Sequence, residues 1–171
     1  MIRHLLDIDR LDQATIERLL SRTGELAAGA PCRPQTGTVA NLFFEPSTRT
    51  RVSFEMAARR LGLDVINIDH HASSASKGEN LIDTAATLAA MGLGALVLRH
   101  PDDGAAAGLA ADLEDRLAVV NAGDGRHAHP SQALLDAATL ANAGFRGPGL
   151  RLALIGDIRH SRVARSDIAL F

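Results

Sequence analysis

The sequence predicts an α/β protein: a three-layer α/β/α domain on a mainly parallel sheet, followed by the first βα unit of a truncated second α/β domain. Three observations predict it. Short apolar, β-prone runs alternate with longer stretches whose apolar residues recur at the helical period. Those runs are apolar almost throughout, as strands covered on both faces are. Dense turn chemistry, Gly144-Phe145-Arg146-Gly147-Pro148-Gly149, then sets off one last strand-like run. The expected divisions are 1–143 for the first domain, 144–150 for a linker and 151–171 for the opening of the second.

Each element has a local cause. A first helix runs from Asp12, a good N-cap, to Ala28; Ile16, Leu19 and Leu20 line one face, and Gly29 and Pro31 stop it. Thr38–Phe43 is a strand. After the turn Glu45–Thr50, a helix carries Phe54, Ala57, Ala58 and Leu61 at i, i+3, i+4, i+7 and ends at Gly62. Asp64–Ile68 is the next strand, and His70–Gly78 a polar, Ser-rich loop. Leu81, Ala85 and Leu88 mark a third helix, stopped near Gly92. Ala95–Leu98 is a strand ending on Arg99-His100-Pro101, and Gly104–Glu114 a weak, Ala-rich helix. Leu117–Asn121 is a strand that runs into Ala122–Pro130. Leu134, Ala137, Ala138 and Ala141 stripe the helix after it. Beyond the linker, Arg151–Ile155 reads as a strand and a helix starts near Ser161. Phe171 falls inside that helix with neither Gly nor a basic last turn to end it, so the second domain is expected to continue.

Composition narrows the function. At 171 residues the chain buries a sizeable core without disulfides or metal. A net charge of −2 and a pI near 6.4 give no electrostatic footprint for nucleic acid or an anionic membrane. Trp and Tyr are absent, which removes base-stacking platforms. Cys32 is the only cysteine, acidic residues interrupt the N-terminus before any signal-like apolar stretch forms, and no segment has membrane-span length. A cytoplasmic protein with neither nucleic-acid nor membrane partners is expected. Of 18 basic residues only Lys77 is a lysine, and Arg does not replace Lys where a compact, mobile ammonium is needed.

Ligands of open parallel sheets bind beyond the carboxyl ends of the strands. There the sequence places Ser47-Thr48-Arg49-Thr50 at a helix N-terminus, Arg99 after the third strand, His129-Pro130-Ser131-Gln132 after the fourth, and Arg159 and Arg162 after the last. Singly, Ser47 is equally a helix cap, Arg49 and Arg51 solvated charges and His129 a turn residue. Together they suit a small molecule bearing phosphate or carboxylate. Nucleotide and dinucleotide glycine motifs are absent. His70-His71 and His127-x-His129 lack further ligands at metal spacing, so no metal is expected.

The string Phe44-Glu45-Pro46-Ser47-Thr48-Arg49-Thr50-Arg51-Val52-Ser53-Phe54-Glu55 closely resembles the F-x-x-S-T-R-T-R-x-S-F-E signature of the aspartate/ornithine carbamoyltransferase family. Lys77-Gly78-Glu79, Arg99-His100-Pro101 and His129-Pro130-Ser131-Gln132 follow in the family's order, so the resemblance covers essentially the whole chain. The Ser73-x-x-x-Lys77 loop, Glu45-Pro46 and the third-position Ser131 resemble the aspartate branch; the ornithine branch lacks such a lysine loop and typically has Cys in place of Ser131.

The resemblance implies carbamoyl transfer from carbamoyl phosphate to the amine of L-aspartate, giving N-carbamoyl-L-aspartate and phosphate, in de novo pyrimidine biosynthesis. Ser47, Thr48, Arg49 and Thr50 would bind the phosphate, with Arg49 taking charge on the departing oxygen. Thr50, Arg99 and His129 would surround the carbonyl oxygen, His129 as a donor, and Gln132 would hold the carbamoyl amide. Ser73 and Lys77 would come from a neighbouring subunit of a cyclic homotrimer with shared active sites, with Lys77 and Arg162 also meeting aspartate. Regulatory or dihydroorotase-like subunits are further implied partners; no metal or organic cofactor is implied. Because family chains carry a whole second domain, carbamoyl phosphate chemistry is expected here and an intact aspartate site is not. Transfer to ornithine or another amine, and a non-catalytic carbamoyl phosphate-binding module, stand as alternatives.

Overall fold

The computed structural model describes residues 3–69, 80–114, 116–145, 147 and 149–171. A 3-10 turn at Ile8–Arg10 leads to α1 (Gln13–Ala27), which begins where the Asp12 carboxylate accepts from Thr15 N at 2.7 Å. There follow β1 (Thr38–Phe43), α2 (Thr48–Arg60), β2 (Asp64–Asp69), α3 (Leu81–Ala90), β3 (Ala95–His100), α4 (Ala105–Leu113), β4 (Ala118–Asp124), α5 (Pro130–Asn142) and α6 (Arg162–Leu170). No described helix is long and apolar enough to cross a membrane.

Among the described residues the three strand pairings are all parallel, in the order β2-β1-β3-β4. The period of two sorts the side chains into two cores. Ala40, Leu42, Leu96, Leu98 and Val119 meet α3 and α4 through Ala85, Leu109 and Leu113; Val39, Phe43, Val97 and Ala122 form the other face, against Phe54 of α2. The N-terminal segment covers the free side of β4, with Leu5 N donating to Val119 O at 2.9 Å and Asn121 N to Leu5 O at 2.8 Å. Buried Asn121 sets the end of β4: its Nδ2 donates to Leu6 O and Asp124 Oδ1, and its Oδ1 accepts from Gly123 N, each at 2.9 Å.

From β1 the chain passes out to β2 and then returns to β3 on the other side of β1, so a crevice opens above the β1–β3 pair. Register places Phe43 beside Arg99, and Phe44 N donates to Arg99 O at 2.9 Å. This juxtaposition brings the β1–α2 turn and the end of β3 together.

Some expectations change. β3 reaches His100 and β4 reaches Asp124, because the ladder continues through polar residues after a register break between Leu98 and His100. Leu117 lies just outside β4, and the expected strand Arg151–Ile155 joins no ladder among the described residues. A strand requires a hydrogen-bonding neighbour, which β-propensity does not supply; Ile155 is left 95% exposed. The helix after it does form. Ser161 Oγ accepts from Ala164 N at 3.1 Å, and α6 packs on α5, burying Ala164, Ser166 and Asp167. The Ser-rich loop His70–Gly78 lies outside the described residues.

Candidate active site

The first turn of α2 is an uncapped helix N-terminus. Its first helical bond is Arg51 N to Ser47 O at 3.0 Å, so the N–H groups of Thr48, Arg49 and Thr50 have no intrahelical acceptor. Ser47 does not cap them: its Oγ donates instead to Thr50 Oγ1 at 2.9 Å. Ser47, Arg49 and Thr50 line an open cleft of about 600 Å³ with Arg99 from the end of β3, His129 and Gln132 from the start of α5, and Arg162 from the start of α6. Phe54, Ala57, Leu135 and Val163 give it apolar walls.

Glu45 organises the cations. Its Oε2 accepts from Arg162 Nη2 at 2.6 Å and lies 3.3 Å from Arg99 Nε, close enough to pair but not aligned for a hydrogen bond. Arg99 Nη1 donates to Ala122 O at 3.2 Å. Burial, then Arg162, pushes the Arg99 guanidinium below its ordinary range, with Glu45 opposing. Arg99 Nε and Arg162 Nη1 are buried donors without a hydrogen-bond acceptor. Buried donors normally have one, so the pair suits an anionic ligand. Gly123 makes room for this arrangement: a Cβ there would stand 3.2 Å from the Arg162 side chain.

His129 is buried, its backbone N–H donating to Ser166 Oγ at 2.9 Å and its ring Nδ1 lying 3.3 Å from Ser131 Oγ. Burial first, then Arg99 and Arg162, lowers its pKa to about 4 against the pull of Asp124. At neutral pH the ring is therefore uncharged. A neutral ring carries one N–H, so His129 offers one donor; where Nδ1 accepts from the Ser131 hydroxyl, that donor is Nε2. Because its folded value lies below the ordinary 6.5, the unfolded chain protonates first as pH falls. Its contribution to stability is whole above about pH 6.5 and is lost towards about pH 4, on the order of 3 kcal/mol. Urea unfolding between about pH 7 and about pH 4.5 should show a steeper loss for wild type than for His129→Gln; parallel profiles would contradict the buried neutral ring.

Thr48 lies beside this cleft, on a smaller cavity of about 130 Å³ under the same turn. Ser73 and Lys77 lie outside the described residues. Arg159 is exposed and lines no part of the cleft, because the 3-10 turn Ile158–His160 carries it away before α6 brings Arg162 in. His100 serves structure: its Nδ1 accepts from Asp102 N at 3.1 Å, and its ring packs on Phe44 with centroids 4.7 Å apart. His127 faces elsewhere, between Asp7 and Asp124. Among the described residues no group of three metal-ligating side chains occurs. Sequence reasoning used Glu45 only as a branch marker and missed its place between two arginines; a lone carboxylate in an anion-binding turn was the available signal.

Comparisons with known proteins agree with this geometry. Residues 3–142 match the family model described as aspartate/ornithine carbamoyltransferase, carbamoyl-P binding domain. The aspartate carbamoyltransferase catalytic subunit of Xanthomonas axonopodis pv. citri is 50% identical, over 98% of this chain and 55% of its own length. That of Salinispora arenicola is 51% identical, over 99% of this chain and 56% of its own. Aspartate transcarbamoylase from Trypanosoma cruzi, solved with carbamoyl phosphate and aspartate, superposes with a TM-score of 0.87 at 34% identity, covering 98% of this chain and 54% of that one. The chain thus spans about half the length of the relatives it matches. By sequence, fold and the residues that converge on its cleft, it belongs to the aspartate/ornithine carbamoyltransferase family, through that family's carbamoyl-P binding domain.

Proposed function

We infer that this chain carries the carbamoyl phosphate half of an aspartate carbamoyltransferase active site, with residues 1–143 as the carbamoyl phosphate-binding domain, 144–150 as a linker and 151–171 as the opening of an aspartate-binding domain. The observation that carries this reading is the convergence of Arg49, Arg99 and His129 on one cleft that holds two buried guanidinium donors without acceptors. Three arginines less one carboxylate, Glu45, leave the site two positive charges in excess. That excess matches a dianionic acyl phosphate.

The roles follow from the chemistry. The α2 N–H groups, the Ser47 hydroxyl and Arg49 hold the phosphate. Thr50, Arg99 and the His129 Nε2–H polarise the carbonyl oxygen and stabilise the oxyanion that forms on it, usually the largest single term in such catalysis. The amine forms the new C–N bond, the C–O bond to phosphate breaks, and its electron pair leaves on the phosphate oxygen that Arg49 faces. The proton lost by the amine goes to that phosphate, because a histidine with a pKa of about 4 is the weaker base. Arg162 would meet an aspartate carboxylate, releasing part of its hold on Glu45.

The relatives are named catalytic subunits, which supports assembly with other chains. The reading includes a cyclic homotrimer in which Ser73 and Lys77 of one copy complete the site of the next, in the cytoplasm, where a single thiol at Cys32 stays reduced. The test is calorimetric titration of carbamoyl phosphate, with inorganic phosphate as competitor. Phosphate release from the full-length protein is then followed with L-aspartate and with L-ornithine. Competitive binding and release dependent on aspartate are expected. No binding would overturn the site, and release dependent on ornithine alone would overturn the choice of amine.

A further inference from the structure

The arginines that line the cleft can only donate, whereas Gln132 carries an acceptor as well. It sits in the first turn of α5, lines the cleft, and donates from Nε2 to Asp136 Oδ1 at 3.1 Å, one turn further along the helix. A primary amide has a donor end and an acceptor end, and the partner of one end decides which end meets a ligand. A carboxylate only accepts. Asp136 therefore holds the nitrogen end and leaves Oε1 to the cleft.

A buried acid lies near Asp136. Asp167 of α6 is 5% exposed, and its Oδ1 is buried without a hydrogen-bond partner. Burial, then the charge of Asp136, raises the Asp167 carboxyl above the usual carboxylate range.

We propose that Asp136 is a positioning residue for acyl specificity: by holding the Gln132 nitrogen it presents an oxygen acceptor to the acyl substituent, favouring the N–H2 of a carbamoyl group over the methyl of an acetyl group. The inference rests on the reading of the cleft as a carbamoyl phosphate site. A methyl group cannot donate to Oε1 and leaves that oxygen unpaired, whereas the carbamoyl nitrogen satisfies it.

The test compares the dissociation constants of carbamoyl phosphate and acetyl phosphate, equal in charge and similar in shape, in the full-length protein and its variants. Wild type should prefer carbamoyl phosphate. Asp136→Asn, of the same shape but able to donate, lets the amide turn, and the preference should fall about tenfold. Asp136→Glu keeps an acceptor and should retain most of the preference, which a merely structural role would not explain. An unchanged ratio in a folded Asp136→Asn protein overturns the inference. Should that variant not fold, wild-type NMR decides: the Gln132 amide protons should show NOEs to the Asp136 β-protons and none to bound carbamoyl phosphate, and an NOE to the ligand overturns it. Failure of wild type to bind either acyl phosphate overturns the site reading and this inference with it. Binding with a ratio insensitive to Asp136 overturns this inference alone.

Discussion

Replacing Arg49 by alanine in the full-length protein should lower kcat by about a thousandfold, with the unfolding free energy changed by no more than about 0.5 kcal/mol. The asymmetry follows from its position. Arg49 is exposed on the first turn of α2, where it lines the cleft and belongs to neither hydrophobic cluster. Folding loses almost nothing with it. Catalysis, on the proposed reading, loses the guanidinium facing the phosphate as it leaves, when its charge is greatest. Arg49→Lys should restore only part of the rate, since an ammonium keeps the charge but not the planar fork that grips two phosphate oxygens. Steady-state kinetics beside urea unfolding separates the two quantities, and a collapse of the fold matching the loss of rate would contradict the assignment.

The largest expected effect on folding is at Gly125. It follows β4 at φ +47, its N–H donating to His100 O at 2.9 Å, within the loop that delivers His129. A Cβ there would run into the Asp103 carboxylate and stand 2.6 Å from the Asp103 backbone nitrogen. The same carboxylate accepts from Arg126 N, so moving it breaks a bond that shapes the loop. Gly125→Ala should cost about 2–4 kcal/mol and lower Tm by roughly 5–15 °C. Gly29→Ala is the control: φ is +88 there too, but nothing lies within 4 Å of the added carbon, so only the backbone term of about 1 kcal/mol applies. Equal losses at the two positions in thermal melts would show that strain, not collision, sets the effect.

The two cases show where reading from sequence succeeds and where it stops. β1 occupies Thr38–Phe43 and α1 begins after Asp12, as their residues predict, because an apolar β-prone run and a capping carboxylate act over a few neighbours. The end of β4 was not legible. The apolar run stops at Asn121, but the ladder continues to Asp124 because Asn121, Gly123 and the N-terminal segment bond to one another. Arg151–Ile155 failed in the opposite sense: the propensity is present and the neighbouring strand is not. Arg159 and Arg162 looked equivalent, and only the path of one 3-10 turn tells them apart.

The sequence alone determined the alternation of strands and helices, and the helix-start turn Ser47–Thr50, because both are set by residues near one another in the chain. Tertiary structure decided which distant side chains share a cleft with that turn. Glu45 and Arg162 are 117 positions apart and meet at 2.6 Å, while Arg159, three residues before Arg162, takes no part. The physical reason is that strand order and helix packing, not local propensity, decide what stands above the crevice between β1 and β3, and with it the charge that surrounds the ligand.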